Sequence, residues 1–210
     1  MEWELKPRAR AKREQIRGGA SRVFVERGFS GASTDAIASE AGVSKQTLYA
    51  YYPSKEDLLS DVLRWMVEEG EHGRLSGVME GLSPRERGEL RGVLGEVARG
   101  LVLALMDASY VALVRIVISE TPRLPHLGRL FRSAVPERVL GGVGALLGRA
   151  HREGAIGEVD SDLAARAFVG PLLTYVLMDA LFVGDGPPRP PGPERIDEAV
   201  DLFMRTLPQA

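Results

Sequence analysis

The stretch AGVSKQTLYAYYPSK, Ala41–Lys55, decides how the rest of the chain is read. Gly42 can take the positive φ that other residues resist, so the chain can turn there. Ser44 is a good N-cap and opens a helix, Lys45 to about Tyr52, which Pro53 stops. Upstream, Ser33 caps an earlier helix, Thr34 to about Ala41, whose Ile37, Ala38 and Ala41 point inward. Two short helices joined by a tight glycine turn make a helix-turn-helix. In that arrangement the second helix enters a DNA major groove and the first crosses the backbone. Helices of two turns are marginal alone, so both must lean on a neighbour.

The side chains suit that use. Ser44, Lys45, Gln46 and Thr47 are short or polar groups at the start of the second helix. Gln pairs bidentately with adenine, Lys donates to guanine, and the Thr methyl meets a thymine methyl. Ser33/Thr34 and Ser54/Lys55 place two helix N-termini beside the reading helix, where free N–H groups hold phosphate. Tyr49 and Tyr51 offer phenolic donors to phosphate oxygens. Leu48 and Tyr52 share the opposite face and belong to the core.

Working outward, nearly everything reads at helical spacing, so the chain is expected to be all-α, with about nine helices. A first helix, about Arg8–Arg27, carries Ile16, Ala20, Val23 and Phe24 on one stripe and ends at Gly28. Ser54 and Asp57 form a capping box for a fourth helix. It should run past Gly70 and Gly73 toward Met79. Ser83, Pro84 and Glu86 read as N-cap, first helical position and capping box of a fifth, ending near Met106. A sixth spans about Ala108–Ser119. Pro125 to about Arg152 reads as helix kinked near Pro136. Asp160 or Ser161 caps an eighth helix through Val183, apolar nearly all round and so expected to be buried on every side. A stiff linker, Gly184–Pro193, precedes a last helix, Glu194–Leu207.

Composition narrows the function. The chain of 210 residues has no cysteine, which excludes disulfides, thiolate metal sites and a cysteine nucleophile and suits a reducing cytoplasm. Residues 1–55 carry ten Lys/Arg against six Asp/Glu, although the whole chain is −2. A basic head on an acidic body points to a head that meets a polyanion. The longest apolar run, Ala167–Val183, is 17 residues and is interrupted by Pro171 and Asp179, so a membrane span is not expected. There is no secretory signal pattern at the N-terminus. No phosphate loop, dinucleotide fingerprint or nucleophile motif appears, so neither catalysis nor a cofactor is expected. Glu68 and His72 stand four apart, as metal ligands can, but EEGEHG reads as a solvated face and no metal site is assigned.

AIASEAGVSKQTLYAYYPSKEDLL, with the upstream ASRVFVERGFSGAST, resembles the N-terminal domain of the TetR (tetracycline repressor) family of bacterial transcriptional regulators. The match covers roughly residues 13–60. It implies DNA contacts at Thr34, Lys45, Gln46, Thr47, Tyr49, Ala50, Tyr51 and Lys55. Position 51 is often His in the family and is Tyr here, which keeps a phosphate contact but loses titration. Ala50 offers only van der Waals contact. The basic leader Lys6–Arg13 is similar to N-terminal extensions of some members. It reads either as an arm to phosphate or minor groove or as a solvated tail.

The resemblance implies two domains, a DNA-binding head at 1–53, with 1–8 flexible, and a helical ligand-binding and dimerisation domain at 54–210. A homodimer would form through the eighth and last helices and bind a palindromic operator. Gly141, Gly144 and Gly148 either allow close helix crossing or are neutral. An apolar effector pocket would be lined by Trp65, Met66, Met106, Tyr110, Val114, Phe131, Phe168, Leu172, Tyr175 and Met178. The expectation is therefore a cytoplasmic, ligand-released repressor. Two alternatives stay open: a constitutive dimeric DNA-binding protein, and a helical small-molecule-binding protein or enzyme whose first three helices are only structural.

Overall fold

The computed structural model describes residues 7–69, 79–184 and 186–210. The fold is all-α, with no strand among those residues. The helices are α1 (Pro7–Gly31), α2 (Thr34–Glu40), α3 (Lys45–Tyr51), α4 (Lys55–Glu69), α5 (Arg87–Leu105), α6 (Ala108–Glu120), α7 (Pro125–Ala134), α8 (Pro136–Arg152), α9 (Ser161–Val176) and α10 (Pro193–Thr206). A π-helical turn, Leu177–Leu181, extends α9.

The chain packs as two units that are discontinuous in sequence. One holds residues 1–66 and 112–131, the other 67–111 and 132–210. In the first, Ile16, Ala20, Val23 and Phe24 of α1 meet Ile37 and Ala38 of α2, Leu48 of α3, and Leu58, Leu59, Val62 and Leu63 of α4. Leu113, Ile116 and Val117 of α6 and Leu127 of α7 complete this core. Each fully buried Leu, Ile or Phe contributes about 1.5–3 kcal/mol, which is what holds two-turn helices such as α2 and α3. Gly28 interrupts α1 with a φ of 66°, and Phe29 folds back so that its ring centroid is 5.9 Å from that of Phe24.

In the second unit α9 packs against α8, α5 and α10, and α5 packs against α10. Asp160 caps α9, its carboxylate accepting from Asp162 N and Leu163 N at 3.0 Å each. Gly144 of α8 faces the backbone of Ser161: a Cβ there would stand 3.2 Å from the Ser161 carbonyl oxygen, so this crossing favours glycine. Gly141 faces open space and Gly148 makes only ordinary contacts. The Arg87 guanidinium caps the end of α10, donating to the carbonyls of Met204, Leu207 and Pro208.

Three expectations are corrected. The fifth helix starts at Arg87, not at Pro84, and Glu86 makes no side-chain cap bond. Glu89 instead reaches back to accept from Arg85 N at 2.8 Å, so the capping box at Ser83–Glu86 does not form. The segment around Pro136 is two helices rather than one kinked helix. The eighth helix ends its α geometry at Val176, and the bond from Phe182 N to Leu177 O closes the π turn. Nor is it buried all round, because Leu163, Leu173, Leu177 and Met178 are exposed and Phe182 is 76% exposed. Ser161–Leu181 is long and apolar enough to cross a membrane by composition alone, but here its inner face packs on α5, α8 and α10. The passage of the fourth helix through Gly70 and Gly73, the pair Glu68/His72, and the first six residues of the chain, among them Lys6 of the leader, lie outside the described residues or side chains. From Pro7 the leader is part of α1.

Candidate nucleic-acid interface

The turn between α2 and α3 is built by backbone bonds. Gly42 has a φ of 60°, Gly42 N donates to Ser39 O at 3.1 Å, and Val43 N donates to Ala38 O at 2.9 Å. The Ala41 carbonyl, left over at the helix end, accepts from Gln15 Nε2 at 2.7 Å. α1 can come this close because residue 19 is glycine.

Ser33 Oγ accepts from Ala36 N at 3.1 Å and starts α2. Ser44 Oγ accepts from Thr47 N at 3.0 Å and lies 2.8 Å from Thr47 Oγ1. Ser44 and Thr47, assigned to base edges from sequence, thus already bond to each other in capping α3. Lys45, Gln46, Tyr49 and Ala50 are exposed along one side of the same helix. Lys45 Nζ pairs with Asp35 of α2 at 2.9 Å, and that bond raises the lysine pKa. Tyr49 is 45% exposed and donates to Thr34 Oγ1 at 3.4 Å. Tyr51 is half-buried against the core.

Lys55 has an internal role that its sequence position does not reveal. Its ammonium donates to Phe29 O at 2.7 Å and Ala32 O at 3.0 Å and sits 4.3 Å from the centre of the Phe29 ring. It thereby fixes the turn leading into Ser33 and the start of α2. An ammonium has three donors, and two of them are used in this way. Tyr52 is core, 1% exposed, but its hydroxyl bonds to Asp61. Asp61, Arg13, Gln15, Gly19 and Asp35 all shape this surface and were not singled out from sequence.

The residues named for an effector pocket divide between the units. Trp65, Met66, Val114 and Phe131 belong to the first, with the Arg17 guanidinium 5.0 Å from the Trp65 ring centre. Met106, Tyr110, Phe168, Leu172, Tyr175 and Met178 belong to the second. The Phe168 ring meets that of Phe203 of α10 at a tilt, with centroids 5.2 Å apart, and burial pushes the Tyr110 phenol well above its usual range. Met178 does not face an interior: it is 67% exposed on the π turn.

A capped α2, a glycine turn and a short α3 with one polar face outward define a helix-turn-helix transcriptional regulator. Residues 16–62 match the family model for bacterial regulatory proteins of the tetR family, and residues 92–206 match the AefR-like transcriptional repressor C-terminal domain. The chain belongs to the TetR family of DNA-binding regulators, which are not enzymes. A Bacillus subtilis (strain 168) protein, the uncharacterized HTH-type transcriptional regulator YezE, is 28% identical over 151 residues, covering 70% of this chain and 74% of that one. A TetR-family regulator structure from Mesorhizobium loti is similar over 97% of this chain and 100% of its own, with a TM-score of 0.84 and 26% identity. The flavonoid-responsive regulator FrrA is similar over 95% of this chain and 98% of its own, with a TM-score of 0.67 and 29% identity.

Proposed function

We propose that the chain is a homodimeric repressor that leaves a palindromic operator when a small apolar or aromatic ligand binds its C-terminal bundle. The carrying observation is the outward polar side of α3, with Lys45, Gln46, Tyr49 and Ala50 exposed on a helix whose other face is core. Gln46 and Lys45 would read base edges. Tyr49, Tyr51, Lys55 and the N-terminus of α2 at Ser33/Thr34 would hold phosphates. Ser44 and Thr47 would contribute mainly by fixing the start of the helix.

Dimerisation through α9, its π extension and α10 is supported by side chains that one chain leaves uncovered. Leu173 on α9, Leu177 and Met178 on the π turn, Phe182 at its end and Leu202 on α10 are exposed. An apolar effector is supported by the buried Met106, Tyr110, Phe168 and Leu172, and by FrrA, a flavonoid-responsive protein. A ligand releases DNA only to the extent that it binds the released form more tightly. Such a regulator acts in the cytoplasm.

The test is a gel shift with DNA upstream of the chain's own gene. A retarded complex that resists competitor DNA and dissolves on adding a compound found by thermal-shift screening of apolar molecules supports the reading. A specific complex that no thermally stabilising compound dissolves contradicts the ligand half and favours a constitutive DNA-binding dimer.

A further inference from the structure

Asp61 lies on α4, outside the reading helix, yet it is only 8% exposed. A buried carboxylate persists where partners satisfy it, and those of Asp61 come from three helices. The Tyr52 hydroxyl donates to Oδ2 at 2.6 Å. Arg13 of α1 donates from Nε to Oδ2 and from Nη2 to Oδ1, both at 3.3 Å. Arg64, one turn along α4, approaches Oδ1 at 4.0 Å. Arg13 Nε is also 3.2 Å from the Tyr52 oxygen, and its guanidinium carbon is 5.3 Å from the centre of the Tyr52 ring.

Tyr52 is the residue on which α3 ends. Its N–H closes the last helical bond to Leu48 O, and its backbone is extended, with φ −135° and ψ 105°. The start of α3 is set locally by Ser44 and Gly42. The end, which Pro53 stops, is held in place by one carboxylate borrowed from another helix. A two-turn helix held at both ends resists rotation about its axis, and such rotation would carry Gln46 and Tyr49 away from a groove.

We propose that Asp61 is a positioning residue for DNA recognition: through the Tyr52 hydroxyl it fixes the rotation of α3, and through Arg13 it ties that setting to α1. It touches no DNA. This inference rests on α3 being the reading helix.

The full chain is used with an operator selected from random duplexes by the wild type. Operator and non-operator affinities are measured at several salt concentrations, well below each variant's melting temperature. Tyr52→Phe and Asp61→Ala each weaken operator binding about tenfold, leaving non-operator binding and the salt slope unchanged. Asp61→Asn, which keeps an acceptor for Tyr52, recovers most of the loss. The double variant Tyr52→Phe/Asp61→Ala is no worse than Asp61→Ala, because the two side chains act as one unit. Operator affinity within twofold of wild type in folded Tyr52→Phe overturns the proposal, and this variant decides alone if Asp61→Ala does not fold. Gln46→Ala serves as the control on the premise. If it too binds the operator normally, the reading helix has been misassigned; if it alone fails, only the role of Asp61 falls.

Discussion

Gly19 of α1 lies against Ala41, the last residue before the turn: a Cβ at position 19 would stand 2.8 Å from the Ala41 Cα, N and Cβ. Backbone cannot yield as a flexible side-chain tip can. Gly19→Ala gains about 1 kcal/mol of helix propensity and loses about 1–3 kcal/mol to overpacking, so the head is expected to be less stable. The Gln15 bond to the Ala41 carbonyl should weaken with it. Gly18→Ala is the paired control. Its Cβ would meet only the Arg22 tip at 3.9 Å, so the same propensity gain should raise stability. Urea midpoints of the two variants should therefore move in opposite directions.

Tyr52 makes stability sensitive to alkali. Burial, then its bond to Asp61, raises its phenol pKa above the ordinary value near 10, opposed by Arg13. A raised folded-state pKa means that the stabilisation is complete below about pH 10 and is lost as pH climbs toward the folded value. In that window Tyr52 should remove about 1.4 kcal/mol of stability per pH unit. Tyr110 is raised by burial in the other unit and acts in the same sense there. Urea unfolding of Tyr52→Phe between pH 9 and 11 is expected to give a shallower alkaline decline than the wild type.

The helix-turn-helix was legible because its signals are local. Ser33, Gly42, Ser44 and Pro53 each act within three residues of the feature they set. Tyr52 was legible as core from its helical spacing to Leu48, but its hydroxyl was not. Its partners, Arg13 and Asp61, lie 39 and 9 residues away on other helices and leave no periodic trace. Likewise Leu113, Ile116 and Val117 join the head's core from a helix far along the chain. Apolar periodicity shows that α6 buries a face, not which unit receives it. At Ser83–Glu86 the expected box does not form, because the helix starts three residues later and Glu89 takes the Arg85 N–H instead. Around Met178 the period itself changed, because a π turn shifts which side chains face outward.

Asp35 is an acid beside the proposed DNA surface, 2.9 Å from Lys45. An exposed pair of this kind contributes little to stability. It does, however, offset a positive charge next to phosphate. Asp35→Asn should leave the melting temperature nearly unchanged and tighten binding to operator and random duplex alike, with the larger gain at low salt. Equilibrium titrations by fluorescence anisotropy at two ionic strengths check both parts.

Lys55 is expected to show two losses on replacement. Lys55→Met leaves the Phe29 and Ala32 carbonyls without their charged donor, a loss of about 1.5–3 kcal/mol. If its third donor meets a phosphate, the slope of log K against log salt should also flatten by about 0.9. Thermal melts report the first effect and salt titrations the second. A stability loss with an unchanged slope would make Lys55 an internal pin alone.

The central claim is that the outward side of α3 reads DNA sequence, and Gln46→Ala tests it most directly. Gln46 is exposed, and alanine is a better helix former, so the fold should not suffer. The measurement is the dissociation constant of the full chain for its selected operator and for random duplex at one salt concentration. The expected result is an operator affinity reduced by about 1–3 kcal/mol, about fivefold to 150-fold, with random-duplex binding unchanged. An operator affinity equal to that of the wild type would contradict the account.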